Sequence, residues 1–157
     1  MINPIPEQHR KKAAVAALCM ACIAPAEGLR RVAYSDPVGI PTICFGETRG
    51  VKLGQRATTE QCKAMLETRV VEDFIPAVEK CISRPMPPER EAAFVSFAYN
   101  VGVARFCASS IALRYNVGDE QGACDALLQY VYAHGIKLPG LVKRREEERA
   151  LCMEGLA

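Results

Sequence analysis

Hydrophobic residues along this chain recur mainly at helical spacing. Residues 13–26 are apolar throughout and rich in alanine, which predicts a first helix. The TTEQ sequence at residues 58–61 has the form of a capping box, and it opens a second helix that Pro76 should kink or end. Pro87-Pro88 begins a helix that is apolar over much of its circumference, so we expect it to be buried and central. Two further helices are predicted over residues 119–132 and 140–156.

One stretch of the chain favours strands instead. Residues 34–45 contain the turn sequence Ser35-Asp36-Pro37 and then a short run, beginning at Thr42, that suits a strand. Pro41 indicates an edge position, because proline cannot donate to a strand ladder. The pattern predicts a small hairpin lobe followed by a helical lobe, which is an α+β fold.

The N-terminal segment is open to more than one interpretation. A basic cluster at residues 9–12 precedes the apolar run, which is shorter than the roughly 20 residues that a membrane-spanning helix needs. Ala24-Pro25-Ala26 also matches the small-residue cleavage site of a secretory signal peptide. Cleavage there would leave Glu27 as the new N-terminus and discard the predicted helix before it, so if Glu27 has a function we expect the segment to remain uncleaved. We assign residues 1–17 to an N-terminal extension and residues 18–157 to one folded domain.

Composition narrows the class of protein. A chain of 157 residues, half of them hydrophobic, is long enough for one domain with a substantial core. The net charge of +2 and the scattered basic residues disfavour a nucleic-acid partner. Eight cysteines favour an oxidising compartment. Their spacing does not match a zinc site, since no second Cys-x-x-Cys pair occurs and the two histidines lie far from the first. We expect no metal and no cofactor.

Two acids near the predicted hairpin suggest glycoside cleavage. That reaction needs one protonated carboxylic acid to assist the leaving oxygen and a second carboxylate to manage water or the cationic transition state. Glu27 near a helix end and Asp36 in a turn could supply the pair. Two acids at this separation are common in proteins, however, and an Asp-Pro sequence is an ordinary turn. The spacing alone therefore does not decide for an enzyme.

A family resemblance adds weight to the enzyme hypothesis. Glu27-Gly28-Leu29-Arg30, followed by Asp36, Thr42 and Gly46, resembles the catalytic pattern of the phage-type lysozymes, the muramidase endolysins of glycoside hydrolase family 24. Further segments follow the order of that family from about Cys19 to the end of the chain. They are Glu47-Thr48, Thr59-Glu60-Gln61-Cys62, Ala98-Tyr99-Asn100-Val101-Gly102, Gly122-Ala123-Cys124-Asp125 and Arg144-Arg145-Glu146-Glu147-Glu148-Arg149.

The resemblance implies a role for each matching residue. Glu27 would be the general acid that protonates the glycosidic oxygen. Asp36 would orient a nucleophilic water or stabilise the cationic sugar, and Thr42 would hold that water. Tyr99 is similar to an aromatic residue at the floor of the family's cleft. The implied substrate-binding residues are Thr48, Tyr99, Ser109 and Asp125.

The resemblance also implies particular side-chain pairs. Arg144 or Arg145 would pair with Glu27. The family commonly has a histidine and an acid where this chain has Glu47 and Arg69, which suggests an ion pair with its charges exchanged. Three disulfides are implied, with Cys19 and Cys22 left over. These disulfides are Cys44 with Cys62, Cys81 with Cys107, and Cys124 with Cys152.

The function implied by the resemblance is that of a monomeric endolysin. It would hydrolyse the β-1,4 bond between N-acetylmuramic acid and N-acetylglucosamine in peptidoglycan, and so release phage progeny by host lysis. It would act in the host periplasm, after passage through a holin lesion or after signal-anchor export with transient association with the inner membrane. Two alternatives stay open: a lytic transglycosylase, and a non-catalytic wall-binding module that keeps the lysozyme fold.

Overall fold

A long N-terminal helix leads into the rest of the molecule. The structure, a computed structural model, describes residues 3–156. Residues 1 and 2 of the predicted segment 1–17 and residue 157 of the predicted segment 18–157 lie outside the described residues. Helix α1 spans Glu7–Glu27 and buries Val15, Cys19 and Ile23. The helix predicted over residues 13–26 is confirmed, and it runs without interruption across the predicted segment boundary after residue 17. Within residues 3–156, no helix combines the length and the apolar character that crossing a membrane requires.

A hairpin follows α1, as the sequence predicts. Strands β1 (Arg30–Ser35) and β2 (Pro41–Cys44) pair antiparallel, with Tyr34 opposite Thr42. Both strands are edges, because they form a sheet of two. The position of Pro41 at the start of β2 agrees with the expectation from its missing N–H group.

The capping box is formed as predicted. The Thr58 side chain accepts from the Gln61 backbone while the Gln61 side chain accepts from the Thr58 backbone, and α2 (Thr59–Arg69) begins there. A π-helical turn over Val70–Phe74 then leads into α3 (Ile75–Cys81), which has Pro76 in its first turn. The residues before Pro76 therefore form a π-helical turn, and the chain continues as an α-helix through Pro76.

Helix α4 is the central element of the helical lobe. It spans Pro88–Val101 and packs against α1 on one side and α8 (Pro139–Glu154) on the other. The residues from Arg90 to Ala98 are all buried, which confirms the expectation of a central helix. Three short helices lie between α4 and α8. They are α5 (Val103–Cys107), α6 (Ser110–Asn116) and α7 (Glu120–Ala126).

The helix predicted over residues 119–132 is wrong in its second half. Helix α7 ends at Ala126, a 3₁₀ turn covers Leu127–Gln129, and a second hairpin follows with β3 (Tyr132–Ala133) and β4 (Ile136–Lys137). His134 and Gly135 form its loop with φ of 51° and 75°. Positive φ at both central residues is the geometry of a tight hairpin turn, and glycine at the second position permits it.

The three disulfides expected from the family resemblance are present. Cys44–Cys62 joins β2 to α2, Cys81–Cys107 joins α3 to α5, and Cys124–Cys152 joins α7 to α8. Cys19 and Cys22 of α1 are free, as expected.

Candidate active site

Glu27 is the last residue of α1, and its carboxylate faces an arginine from the other end of the chain. Arg144 of α8 donates from Nη1 to Glu27 Oε1 at 2.7 Å. About a quarter of the Glu27 side chain is exposed, compared with 8% of the Arg144 side chain. The expected pair is therefore made by Arg144, while Arg145 donates instead to Asn100 Oδ1 at 2.6 Å.

The turn after β2 brings Tyr99 close to Glu27. The Tyr99 hydroxyl donates to the Phe45 carbonyl at 2.6 Å. A Cβ added at Gly46 would lie 3.9 Å from the Tyr99 hydroxyl and 4.0 Å from Glu27 Oε2, so both groups border the Gly46 backbone. Gly46 has a φ of 87°, a conformation that favours glycine. Burial raises the pKa of Tyr99 to about 12, and the nearby Glu27 carboxylate adds to the rise, so the phenol stays protonated.

Asp36 and Thr42 are connected through the backbone of Ile40. Asp36 Oδ1 accepts from the Val38 N–H at 2.9 Å and from the Ile40 N–H at 2.8 Å. The Thr42 hydroxyl donates to the Ile40 carbonyl at 2.9 Å and is almost fully buried. Among residues 3–156 no hydrogen-bond donor engages the second Asp36 oxygen. The hairpin thus orients both polar groups through the backbone of one residue, Ile40.

An ion pair ties the hairpin lobe to α2. Glu47 Oε2 lies 3.2 Å from Arg69 Nε, which confirms the exchanged pair suggested by the family resemblance. The other oxygen, Glu47 Oε1, accepts from the backbone N–H groups of Thr48 at 2.9 Å and Arg49 at 2.8 Å. Arg69 also donates to Asp73 at 2.6 Å. The pair fixes the loop that leaves the Gly46 turn.

The other candidate substrate-binding residues lie in different surroundings. Thr48 is exposed next to Glu47. Ser109 is buried and caps α6, donating to the Phe106 carbonyl at 2.6 Å and accepting from the Ala112 N–H at 3.3 Å. Asp125 accepts from Arg149 at 2.7 and 2.8 Å. Of the four candidates, the structure brings Tyr99 into contact with the surroundings of Glu27.

A groove of about 620 Å³ opens beside Glu27 on its α8 side. Asn100, Leu138, Lys143, Arg144 and Glu147 contribute to its walls. Sequence reasoning missed Asn100 and Glu147, although both belong to segments that carry the family resemblance. It also missed Glu148, which is buried behind Arg144 and contacts it at 3.3 Å. The four-residue separation of Arg144 and Glu148 in a predicted helix is the sequence feature that could have indicated their contact.

The fold and this site define a class of protein. An α+β fold places a glutamate at the end of its first helix, and a hairpin presenting an aspartate and a threonine follows directly. Glycoside hydrolases use a pair of carboxylic acids at the scissile bond, and the arrangement of a hairpin lobe beside a helical lobe agrees with a lysozyme-like member of that class.

Comparison with known proteins identifies the family. The family model described as phage lysozyme matches residues 24–148, and the chain belongs to this family. A SAR-endolysin of Pseudomonas phage phiKMV is 37% identical over 148 residues, which cover 91% of each chain. The active form of the P1 phage endolysin Lyz superposes with a TM-score of 0.77 at 27% identity, covering 99% of this chain and 98% of that one. The muramidase domain of SpmX from Asticaccaulis excentricus superposes with a TM-score of 0.79 at 28% identity, covering 89% and 95%.

These comparisons confirm several expectations from the sequence. The chain is a phage-type lysozyme of the endolysin kind, and its fold is the α+β lysozyme fold. It is an enzyme of the glycoside hydrolase class, so neither the wall-binding module nor the lytic transglycosylase is favoured.

Proposed function

We propose that this enzyme hydrolyses the β-1,4 bond between N-acetylmuramic acid and N-acetylglucosamine, with Glu27 as general acid and with Asp36 and Thr42 directing the attacking water. The observation that carries the proposal is the asymmetric setting of Glu27. Arg144 holds Oε1 at 2.7 Å, while Oε2 faces the Gly46 turn and the Tyr99 hydroxyl. One oxygen is thus fixed by an ion pair, and the other is presented to the hairpin.

The catalytic proton belongs on Oε2 in this scheme. Arg144 donates to Oε1 and so favours negative charge on that oxygen, which leaves Oε2 to carry the proton. Oε2 gives that proton to the glycosidic oxygen as its bond to the sugar C1 breaks, and N-acetylglucosamine leaves with a hydroxyl group. Glu27 is a carboxylate after this step, and Arg144 then stabilises its charge.

The hairpin side handles the water. Asp36 Oδ1 is already held by two backbone N–H groups, so Oδ2 is the oxygen that accepts a proton from water as the water oxygen bonds to C1. The Thr42 hydroxyl donates to the Ile40 carbonyl, which leaves its oxygen lone pairs to accept a hydrogen bond from the same water. Attack by water opposite the leaving group inverts the anomeric configuration. Thr48, Tyr99, Ser109 and Asp125 are retained in the proposal as substrate-binding residues.

The site of action is proposed on the basis of relatives and of the N-terminal segment. Relatives named SAR-endolysins cover most of this chain, and we propose that it likewise acts in the host periplasm as a monomer. Residues 1–17, with the basic cluster at 9–12, would be the remnant of a signal anchor that associates transiently with the inner membrane, and residues 18–157 the catalytic domain.

Digestion of purified peptidoglycan sacculi tests the reaction. Mass spectrometry of the released muropeptides should show reducing N-acetylmuramic acid ends, each carrying the added water. Products ending in 1,6-anhydro sugars would indicate a lytic transglycosylase instead. Retention of the protein on intact sacculi without any soluble product would indicate a wall-binding module.

A further inference from the structure

The guanidinium group of Arg144 is shared between two carboxylates. Nη1 donates to Glu27 Oε1 at 2.7 Å, and Nε donates to Glu148 Oε1 at 3.3 Å. Nη2 donates to the Ser96 carbonyl at 3.2 Å, so every nitrogen of the group has an acceptor. The orientation of Arg144 towards Glu27 is therefore set from behind by α4 and by Glu148.

Glu148 is held mainly through its Oε1 atom, while Oε2 has an ion-pair contact without hydrogen-bond geometry. It is 1% exposed, its Oε1 also accepts from the Ser96 hydroxyl at 2.8 Å, and its Oε2 lies 3.2 Å from Arg145 Nε. Burial raises the pKa of Glu148, and the charges of Arg145 and Arg144 together with the Ser96 hydrogen bond oppose that rise. The same burial lowers the pKa of Arg145 to about 10.

Such a cluster is a poor way to stabilise a fold. Removing charged groups from water costs several kcal/mol for each ion by general estimates, and apolar side chains of similar size often replace buried ion pairs without loss of stability. The cluster of Arg144, Arg145, Glu148 and Ser96 nevertheless lies directly against the catalytic acid. Its position suggests a role in the reaction.

We propose that Glu148 is a positioning residue for the hydrolysis: it holds Arg144 from the side opposite Glu27 and shares its positive charge, so that Glu27 faces a partly neutralised cation and retains its proton. This inference rests on the proposed function, in which Glu27 is the general acid. Without Glu148, the whole charge of Arg144 would act on Glu27 and favour its ionised form.

Other charged groups also surround this cluster, among them Arg105, whose charge helps to lower the pKa of Arg145. Lys143 and Glu147 of α8 border the same groove as Glu27, and Tyr99 of α4 is a neutral phenol beside it. On the α1 side Cys22 faces the cluster, and burial, followed by the charge of Glu148, raises the pKa of its thiol. Within residues 3–156, Glu27 and Glu148 are the two carboxylates that contact Arg144.

The test compares the pH dependence of kcat/KM for the parent and for Glu148→Gln. Glu27 must carry a proton to act, so activity falls on the alkaline side of the profile. We expect this limb to move to lower pH by roughly one unit in Glu148→Gln, the usual size of the effect of one nearby charge. KM should change little, because Glu148 is buried and does not reach the groove surface.

Glu91→Gln is the matched control. Glu91 is a carboxylate of α4 that is also 1% exposed, and its cationic partner is Lys11, 3.3 Å away, rather than Arg144. The control variant loses an equally buried carboxyl group without touching the cluster, so its alkaline limb should coincide with that of the parent. An unmoved or alkaline-shifted limb in Glu148→Gln, or an equal shift in Glu91→Gln, would overturn the proposal.

A second variant covers the case in which Glu148→Gln does not fold. Glu148→Asp keeps the charge but withdraws it from Arg144 by one methylene, so the limb should move in the same direction by a smaller amount, and an unmoved limb would overturn the proposal. Circular dichroism establishes folding. The Glu27→Gln variant separates the two proposals. If Glu27→Gln is inactive while the alkaline limb of Glu148→Gln coincides with that of the parent, only the role of Glu148 fails. If Glu27→Gln retains full activity, the proposed function fails.

Discussion

Glu47 and Arg69 join the hairpin lobe to α2 through a contact of 3.2 Å between Oε2 and Nε. The Glu47 side chain is 13% exposed and the Arg69 side chain 25% exposed, so water screens this pair less than a surface pair. The pair lies at the loop that follows Gly46, and it connects the fold of the hairpin to the geometry around Glu27.

A double-mutant cycle should detect this pair. We expect Glu47→Gln and Arg69→Met to show a coupling free energy of about 1 kcal/mol, near the upper end for partly exposed ion pairs. Urea denaturation of the four proteins gives the value. The Arg49–Asp73 contact, at 3.4 Å and with Arg49 69% exposed, serves as a reference and should couple less. Coupling near zero for Glu47 and Arg69 would show that the contact does not persist in solution.

Tyr99→Phe should reduce activity more than its loss of stability implies. The variant leaves the Phe45 carbonyl without its donor, which costs about 1 kcal/mol, and it loosens the turn at Gly46 that faces Glu27. We expect kcat to fall by about tenfold, which corresponds to an increase of about 1 kcal/mol in the activation free energy. Activity should not depend on ionisation of Tyr99, since its pKa is raised to about 12.

Tyr130→Phe is the matched control for that prediction. The Tyr130 hydroxyl contacts the Ser110 backbone N–H and hydroxyl, both at 3.2 Å, at the start of α6. A comparable loss of stability with parent-like activity is expected. Equal activity losses in the two variants would mean that the effect of Tyr99 is one of general stability.

The disulfides should differ in their effect on activity. Replacing both cysteines of Cys44–Cys62 or of Cys124–Cys152 by serine should lower the free energy of unfolding by about 3 kcal/mol in each case. At temperatures well below the melting temperature, the Cys44–Cys62 replacement should lower kcat and the Cys124–Cys152 replacement should not. The reason is that Cys44 directly precedes the Phe45–Gly46 turn beside Glu27. Turnover at 20 °C below each variant's Tm measures this difference. Identical turnover in the two variants would contradict it.

Glu91 should make stability depend on pH. Burial raises the pKa of Glu91 from 4.5 to about 7, with the neighbouring Glu79 adding to the rise and Lys11 opposing it. The folded state then binds more protons than the unfolded state, so the contribution of Glu91 is greatest below pH 4.5 and is lost as pH rises through 7. The loss is about 3 kcal/mol as an order of magnitude. Urea denaturation at pH 5 and pH 8 measures it.

Glu91→Gln provides the comparison, because glutamine stays neutral at both values of pH. The variant should lose less stability than the parent between pH 5 and pH 8. If the parent and the variant change by the same amount, Glu91 does not titrate in this range.

Local signals in the sequence predicted the elements that carry the site. The capping box at Thr58 and the proline pair before α4 determine helix starts through their own hydrogen bonds and backbone angles, so they can be read without tertiary information. The disulfides, the Glu47–Arg69 contact and the Glu27–Arg144 contact came from the family resemblance, because pairing between distant residues has no local signature.

The missed features depend on tertiary structure. The apolar residues between Leu127 and Val131 fit a continued helix, and the chain turns into β3 and β4 because His134-Gly135 adopts a tight turn. The short helices α5 and α6 are too brief to show a clear periodicity. Glu148 lies in a run of charged residues, and the packing of α8 on α4 buries it.

The most direct test of the central claim is the turnover of Glu27→Gln on purified sacculi, followed by release of reducing ends. An amide cannot give a proton to the leaving oxygen, so a variant that is folded by circular dichroism should lose most of its turnover, by roughly 100-fold to 10,000-fold for removal of a general acid. The variant should still bind sacculi, since the proposed substrate-binding residues, among them Thr48 and Tyr99, are unchanged. A folded Glu27→Gln protein that releases reducing ends at the parent rate would remove Glu27 from the mechanism and contradict the account.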